Sequence, residues 1–416
     1  MTPKSDKVGF SILLAATFCL GATSALADGF RVRTSFGLGS DWAEPGSLDT
    51  SLGYPDRSNR DASLRLMWDK SLGDFHLEIH SNLMISQGDN LPYGVAAAPF
   101  FPTPPPASYF DLTRIWQLDG HRIITNTIDR FSLGYSKGNF VLKVGRQAIT
   151  WGSGMVFHPG DIVAPFAPNA IDTAYKPGVD MVYGQVLFDS GADIQAIAVP
   201  RSLAYGAPVA FAASTYAIRG QSKLGSMDAS LLLARDRGDS VAALGLGGPL
   251  GGASWNLELL QWQLAGGQTL PSWLFNISNY GTLGGKNISY FAEVYHNGFG
   301  VDASVDYASL PASLTKRMAT GQVFFPGRDF LALGATLELT ADLSLSPNAI
   351  ISLNDHSTLW GLTVSYVLGD NTNLVLNFSA PSGSVGTEFG GRETAPASGI
   401  YAGPNRSAKL QLVHFF

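Results

Sequence analysis

The chain ends with the stretch Ser-Ala-Lys-Leu-Gln-Leu-Val-His-Phe-Phe, residues 407–416. Taken two residues apart, this stretch places Leu410 and Leu412 on one side of an extended chain and Lys409 and Gln411 on the other. Successive side chains of a β-strand point to opposite faces, so the alternation predicts a strand with one apolar face and one polar face. Such a strand needs partners, which the rest of the chain must supply.

The same alternation recurs upstream, most clearly in residues 75–85, where Phe75, Leu77 and Ile79 alternate with His76 and Glu78. Short turns alternate along the chain with longer connections, which lie at about Ser40–Ser58, Gly88–Gly120, Gly152–Pro177, Gly298–Gly327 and Pro381–Gly403. Barrels with short turns at one rim and long loops at the other require this order. The pattern predicts an all-β fold: a transmembrane antiparallel β-barrel of about 18 strands, or 16 as the alternative, with long external loops.

Composition agrees with a barrel that has lipid outside and water inside. Of the 416 residues, 45% are hydrophobic, 14% are charged and 47 are glycine. After residue 27, no apolar run reaches the roughly 20 residues that a membrane helix needs. The net charge of −6 gives no support for a nucleic-acid partner. The soluble alternative is a large secreted β-sandwich or solenoid, and the lack of a fixed-period repeat weakens the solenoid.

The first 27 residues have the pattern of a secretory signal. Lys4 and Lys7 precede an apolar run from Val8 to Ala22, and Ala25-Leu26-Ala27 offers a small-x-small cleavage site. We therefore expect a signal peptide at 1–27 and a barrel at 28–416. The single cysteine, Cys19, would leave with the signal, so the mature chain would hold neither a disulfide nor a reactive thiol.

Two stretches resemble known outer-membrane proteins. The strand that ends at Phe416 resembles the terminal strand of bacterial outer-membrane barrels, which pairs with the first strand and is read by the assembly machinery. This resemblance implies an outer-membrane location in a Gram-negative bacterium, lipid and the barrel-assembly machinery as partners, and Phe416 as the assembly signal. The Gly145-Arg146-Gln147 run, followed by Trp151-Gly152, resembles a motif of alginate-export-like channels, in which the arginine lines the lumen.

Strand parity conflicts with that role for Arg146. Counting from Phe140, Leu142 and Val144 places Arg146 on the lipid face, where an arginine costs up to about 2–4 kcal/mol near the midplane. A β-bulge at Gly145 would turn the side chain to the lumen, and glycine permits such a bulge. We therefore expect a bulge at Gly145.

The segment Gly152–Pro177 is more apolar than a free external loop, because it contains Phe157 and Phe166 among its glycines and prolines. We expect it to fold into the barrel and narrow the pore; the alternative is a cap over the mouth. Its charged residues would then face the constriction: Asp161, Asp172 and Lys176.

Parity along the other strands predicts an electrostatically two-sided channel wall. Basic residues come mostly from the first eight strands and the last one, and acidic residues from the strands between. The basic candidates are Arg65, Arg130, Lys143, Arg146, Arg219, Lys223 and Lys409, and the acidic ones are Asp228, Glu258, Glu293 and Glu338.

The sequence offers no constellation for catalysis, and we expect no enzyme activity, cofactor or metal. His76 and His80 lie roughly 13 Å apart along a strand, too far to share one metal. Two functions remain open: a porin-like channel for passive or facilitated passage of small polar solutes, with anionic solutes among the candidates, or a non-conducting barrel with a structural or partner-binding role. Such a partner could be a lipoprotein or a secreted electron carrier in the lumen.

Overall fold

A computed structural model of the chain describes residues 29–101, 103–168, 175–302, 307 and 309–416. The expected signal peptide and Asp172 therefore lie outside the described residues. The strands are β1 Phe30–Trp42, β2 Asp56–Leu72, β3 Phe75–Gly88, β4 Thr113–Asp119, β5 Arg122–Lys137, β6 Phe140–Gln147, β7 Val179–Leu187, β8 Asp193–Val199, β9 Thr215–Leu224, β10 Met227–Asp236, β11 Asp239–Leu250, β12 Ala253–Gln263, β13 Thr269–Leu283, β14 Lys286–His296, β15 Asp329–Glu338, β16 Leu343–Ser352, β17 Thr358–Val367, β18 Thr372–Ser382, β19 Arg392–Glu393, β20 Tyr401–Ala402 and β21 Arg406–Phe415. The helices are α1 Leu48–Ser51, α2 Asn90–Ala97, the 3-10 turn Ala98–Phe100 and α3 Ala312–Ala319.

Eighteen of these strands close into one antiparallel barrel, which confirms the predicted fold class and strand number. The barrel closes where β1 pairs with β21, with Leu38 opposite Leu410 and Gly39 opposite Lys409. The amide of Phe416 donates to the carbonyl of Val32 at 2.9 Å, so the last residue joins the same seam. β4 is an additional strand on the edge of β5, and β19 and β20 form a separate hairpin.

The connections divide between the two rims as predicted. Tight turns such as those after β2, β5 and β13 lie at the rim that also holds the start of β1 and the end of β21. The five predicted long connections are present at the other rim, and a sixth, residues 200–214, was not predicted. The connection from β10 to β11 at this rim is short, and Arg237 takes the left-handed φ of 50° that its tight turn requires.

Each strand has an outer face and an inner face, and cross-strand partners share a face. Exposed apolar side chains mark the outer face near the seam, among them Leu38, Leu66, Trp68, Leu410 and Leu412. The inner face is marked by side chains that contact the loops inside the barrel. Among the described residues, no helix is both long enough and apolar enough to cross a lipid bilayer.

The inner face is polar in some parts and apolar in others. Toward the long loops, β7–β12 turn apolar side chains inward, including Met181, Ile197, Val199, Leu232, Val241, Leu260 and Trp262, and these pack against loop residues Ile162, Val163, Phe299, Leu314 and Val323. On the next arc, Leu274, Tyr295, Phe330, Ala332, Ile350 and Leu359 enclose Phe157 and Phe389. Close packing of this kind excludes water, so much of the loop-side lumen is dry.

Candidate functional site

The loop of residues 148–178 is hereafter called the inserted loop. Its described parts, residues 148–168 and 175–178, lie inside the barrel rather than over its mouth. It leaves the wall after Gln147 at the end of β6 and returns at Val179, the start of β7. Between these points its backbone reaches Glu258 on β12 and Glu293 on β14, which stand across the ring of strands. A segment that touches both sides of the wall divides the lumen.

Glu293 holds one part of the inserted loop by its backbone. The amides of Met155, Val156 and Phe157 donate to its two carboxylate oxygens at 2.6, 3.0 and 2.8 Å. Asn276 on β13 adds a side-chain donor at 3.1 Å. Glu293 is fully buried, so its carboxylate is hydrogen-bonded by these donors and does not face an open channel.

Glu258 holds the neighbouring part in the same way. It accepts hydrogen bonds from the amide and hydroxyl of Ser153, the hydroxyl at 2.8 Å, and from the amide of Gly160 at 2.9 Å. A Cβ at Gly160 would lie 2.7 Å from the Glu258 carboxylate, so this close approach requires glycine. The two acidic wall residues therefore anchor the loop, a role that strand parity could not reveal.

A buried ion pair joins Lys176, near the end of the inserted loop, to Asp161 in its middle. Lys176 also donates to the carbonyl of Ile149 at 2.6 Å. Burial raises the pKa of the Asp161 carboxyl and lowers that of the Lys176 ammonium, while their mutual attraction opposes both shifts. These two predicted constriction residues thus bind each other inside the loop.

Tyr175 carries the inserted loop to the opposite wall, near the seam. Its ring lies over the guanidinium groups of Arg65, at 4.4 Å, and Arg33, at 5.4 Å. Its hydroxyl lies 3.1 Å from the sulfur of Met67. Arg65 forms an ion pair with Asp129. This role of Tyr175 was not predicted from the sequence, where the available signal was an aromatic residue just before Lys176 in a loop expected to fold inward.

Arg146 occupies a different place from the one expected. Gly145 has a φ of 121°, yet the ladders on both sides keep their register through it, so the predicted bulge does not form. Arg146 binds Asp180 at 3.0 Å and donates to the Phe110 carbonyl, and only 6% of it is exposed. The chain before β4 thus covers the arginine, and the ion pair removes the cost that parity implied.

The other predicted charges are spread along the wall. Lys143 pairs with Glu78, and Arg130 donates to the Lys176 carbonyl at 2.6 Å. Glu338 is exposed at the short-turn end of β15, where Asn287 donates to it at 2.8 Å. The remaining candidates face the lumen on β9, β10 and β21: Arg219, Lys223, Asp228 and Lys409.

Two adjoining cavities of about 380 and 480 Å³ lie on the short-turn side of the inserted loop. Both cavities are lined by Trp151, Arg219 and Gln221, and the cavity of about 380 Å³ is also lined by Gly152 and Ser153. The Trp151 indole donates to Gln195 at 2.7 Å, which fixes the loop above the cavities. We call this space the vestibule. Charged and polar side chains such as Arg219 and Asp228 line it beside apolar ones, and on its loop side it meets the dry packing of β7–β12.

Three ligand-type side chains meet near the seam. Potential ligand atoms of Asp69, Glu78 and His80 all lie within 4.8 Å of one another. Asp69 pairs with Arg31, and Glu78 pairs with Lys143. These cations neutralise both carboxylates, which argues for an ion-pair network rather than a cation site.

Sequence reasoning also missed the fastening of the loop of residues 297–328. Arg317 on α3 is buried, donates to Asp236 at 2.5 Å and Asp239 at 2.6 Å, and lies 4.2 Å from the Trp262 ring centroid. An Asp-Arg-Gly-Asp turn was visible in the sequence, but its partner lies far along the chain.

No protein-family model matches the chain. No curated protein matches it in sequence. Among solved structures, OccK5 (OpdH) of Pseudomonas aeruginosa is similar with a TM-score of 0.55 at 10% identity, over 93% of this chain and 97% of that one. A BenF-like porin from Pseudomonas fluorescens Pf-5 is similar with a TM-score of 0.52 at 11% identity, over 93% and 97%. Wzi of Escherichia coli, an outer-membrane protein involved in group 1 capsule assembly and a carbohydrate-binding β-barrel, is similar with a TM-score of 0.54 at 13% identity, over 97% and 87%.

At these identities the similarity establishes the fold, which is that of outer-membrane porins and related barrels. The porin-like barrel that the sequence predicted is confirmed. The finer resemblance to alginate-export-like channels, drawn from the Gly145-Arg146-Gln147 run, receives no specific support from these structures.

Proposed function

We propose that the chain is a porin-like channel of the Gram-negative outer membrane that passes small polar solutes and favours anionic ones. The observation that carries the proposal is the charge around Tyr175. Arg33, Arg65 and Arg130 lie around it, with the carboxylate of Asp129 against Arg65 and that of Glu78 3.9 Å from Arg130. Low-dielectric walls focus the field of such a cluster of guanidinium groups, which raises the local concentration of anions.

The test is ion selectivity of the purified protein in planar bilayers under a salt gradient. Arg65→Gln should move the reversal potential toward cations, because it removes a positive charge beside the narrow part. Lys223→Gln is the matched control: it removes a positive charge from the vestibule wall, next to Asp228. An equal shift in both variants, or none in either, would contradict the assignment.

Loss of the inserted loop should raise conductance if the loop narrows the pore. The deletion should remove residues 152–177, whose described residues contact Glu258, Glu293 and Arg65 on different parts of the wall. An unchanged single-channel conductance would place the constriction elsewhere.

A second candidate is a non-conducting barrel that binds a partner or a glycan. It is favoured by the dry packing of the loop-side lumen, where Phe157, Phe325 and Phe389 come from three different loops. The similarity to Wzi, itself a carbohydrate-binding barrel, points the same way. Absence of any bilayer conductance, together with retention on immobilised surface polysaccharide, would favour this candidate over the channel.

A further inference from the structure

The inner positions of β1 and β2 differ from those of β7–β17 because they stay polar along the strands. On β1 every inner position from Arg31 to Asp41 is charged, serine or glycine, and on β2 the inner positions from Asn59 to Ser71 are polar apart from Met67. The closing strand adds Lys409 and Gln411, which the apolar Val413 and Phe415 follow toward the short turns. We call the inner positions of β1 and β2, together with Lys409 and Gln411 of β21, the seam strip.

The seam strip leaves room beside the wall. Gly37 stands between Asp61 on β2 and Gln411 on β21, and a Cβ added there would find nothing nearer than 3.8 Å. Gly39 lies one position further on the same face, opposite Lys409. Two glycines in succession on an inner face leave a groove, and the Lys409 side chain borders it, 3.5 Å from where a Cβ of Gly39 would lie.

Water reaches the seam strip from both ends, with Tyr175 between them. On the loop side, Asp61 and Lys409 face inward and are exposed. On the short-turn side, the Arg31 side chain is 58% exposed. Between them, Arg33, Arg65 and Met67 are buried, and all three contact Tyr175.

The vestibule offers no comparable route in the part of the chain that the structure describes. Arg219, Lys223 and Asp228 line its short-turn side, but beyond Trp151 the inner side chains of β7–β12 pack with the loops into an apolar core. A polar solute that entered the vestibule would have to cross that packing, and desolvating even one hydrogen-bonding group costs several kcal/mol.

We propose that solutes cross the barrel along the seam strip, off the barrel axis, and that Tyr175 is the narrowest point of this path. The vestibule is then a blind recess. This inference rests on the proposed channel function, which it deepens by assigning the path to one arc of the wall and the restriction to one side chain.

Two serine-to-cysteine variants test the path. Ser63→Cys lies on the seam strip, and Ser230→Cys lies in the vestibule; both serines face the lumen and are half-buried. The chain has one native cysteine, Cys19, which is replaced by serine in both variants. Each protein is treated in the bilayer with a charged, membrane-impermeant thiol reagent while current is recorded.

The expected result is a stepwise loss of current for Ser63→Cys and an unchanged current for Ser230→Cys, whose labelling is verified by mass. Current loss only at Ser230→Cys, or at neither position while the wild type conducts, would overturn the seam path and leave the channel function standing. A wild type that carries no current would reject the channel function and the path with it.

A second variant tests the restriction. Tyr175→Ala removes the ring from Arg65 and Arg33 and should raise single-channel conductance, whereas Tyr183→Ala, an inner-face residue that lines the vestibule, should not. Equal conductance in Tyr175→Ala and wild type would show that the ring does not restrict the path.

Discussion

Glu293 offers the sharpest test of how the inserted loop is held. In Glu293→Ala, the amides of Met155, Val156 and Phe157 lose their acceptor in a buried place. Each buried amide left without a partner costs about 1–3 kcal/mol, so the docked loop should lose about 3–9 kcal/mol. The upper figure is a ceiling because water can enter the space that the side chain leaves.

Even the lower figure should raise the undocked fraction of the loop by at least about a hundredfold, since 1.4 kcal/mol is a factor of ten. The assay is limited proteolysis within residues 148–178 of the detergent-folded protein, with unheated gel mobility as the check that the barrel remains closed. Glu293→Gln should fall between wild type and alanine, because it keeps one carbonyl acceptor but sets an NH2 group against the loop amides.

Glu338→Ala is the matched control. That carboxylate is exposed and accepts one hydrogen bond from Asn287, so its loss should change stability by no more than about 0.5 kcal/mol. Cleavage of the loop at the same rate in Glu293→Ala and Glu338→Ala would refute the anchoring argument.

Three further predictions concern other parts of the barrel. Deleting Phe416 should lower the amount of protein in the outer membrane without changing the conductance of inserted molecules, because the residue closes the seam at Val32 and lines no pore; unchanged membrane levels would show that it is not an assembly signal. Burial raises the pKa of Glu388 to about 7, above its ordinary value, so the folded loop of residues 383–405 favours the protonated carboxyl. This stabilisation is lost as pH rises from about 5 to 8, and the loop should become easier to cleave by protease. Glu388→Gln should flatten this pH profile, and a profile equal to wild type would exclude Glu388 as its cause. Arg317→Met removes a buried cation from Asp236 and Asp239 and should destabilise the loop of residues 297–328 by about 3–5 kcal/mol, measured by protease cleavage near α3; normal resistance would contradict that fastening.

The strands and their order followed from the sequence because a strand in a barrel wall meets two different solvents. Phe75, Leu77 and Ile79 alternate with polar residues for a purely local reason: neighbouring side chains point to opposite faces. The long and short connections, and the terminal strand that pairs with β1, could be read for the same reason. These features depend on residues close together in the chain.

The site depended on pairs that are distant in sequence, and there the prediction was weaker. Strand parity correctly predicted that Glu258 and Glu293 point inward, but it could not predict that amides of the inserted loop would donate hydrogen bonds to their carboxylates. It also raised a conflict at Arg146 that a bulge was expected to resolve. The structure resolves it with Asp180 and the Phe110 carbonyl, neither of which any local pattern connects to Arg146.

The same limit on prediction from sequence applies to the inner face of the barrel. The sequence alone determined that side chains such as Ser63 and Ser230 point inward, since alternation fixes the side of a strand. It could not determine which inner positions stay wet, because that depends on where the inserted loop lies. Tyr175 covers Arg65 in a loop that Glu293 and Glu258 hold from the other side of the lumen, and tertiary contacts of that kind leave no periodic trace in the chain.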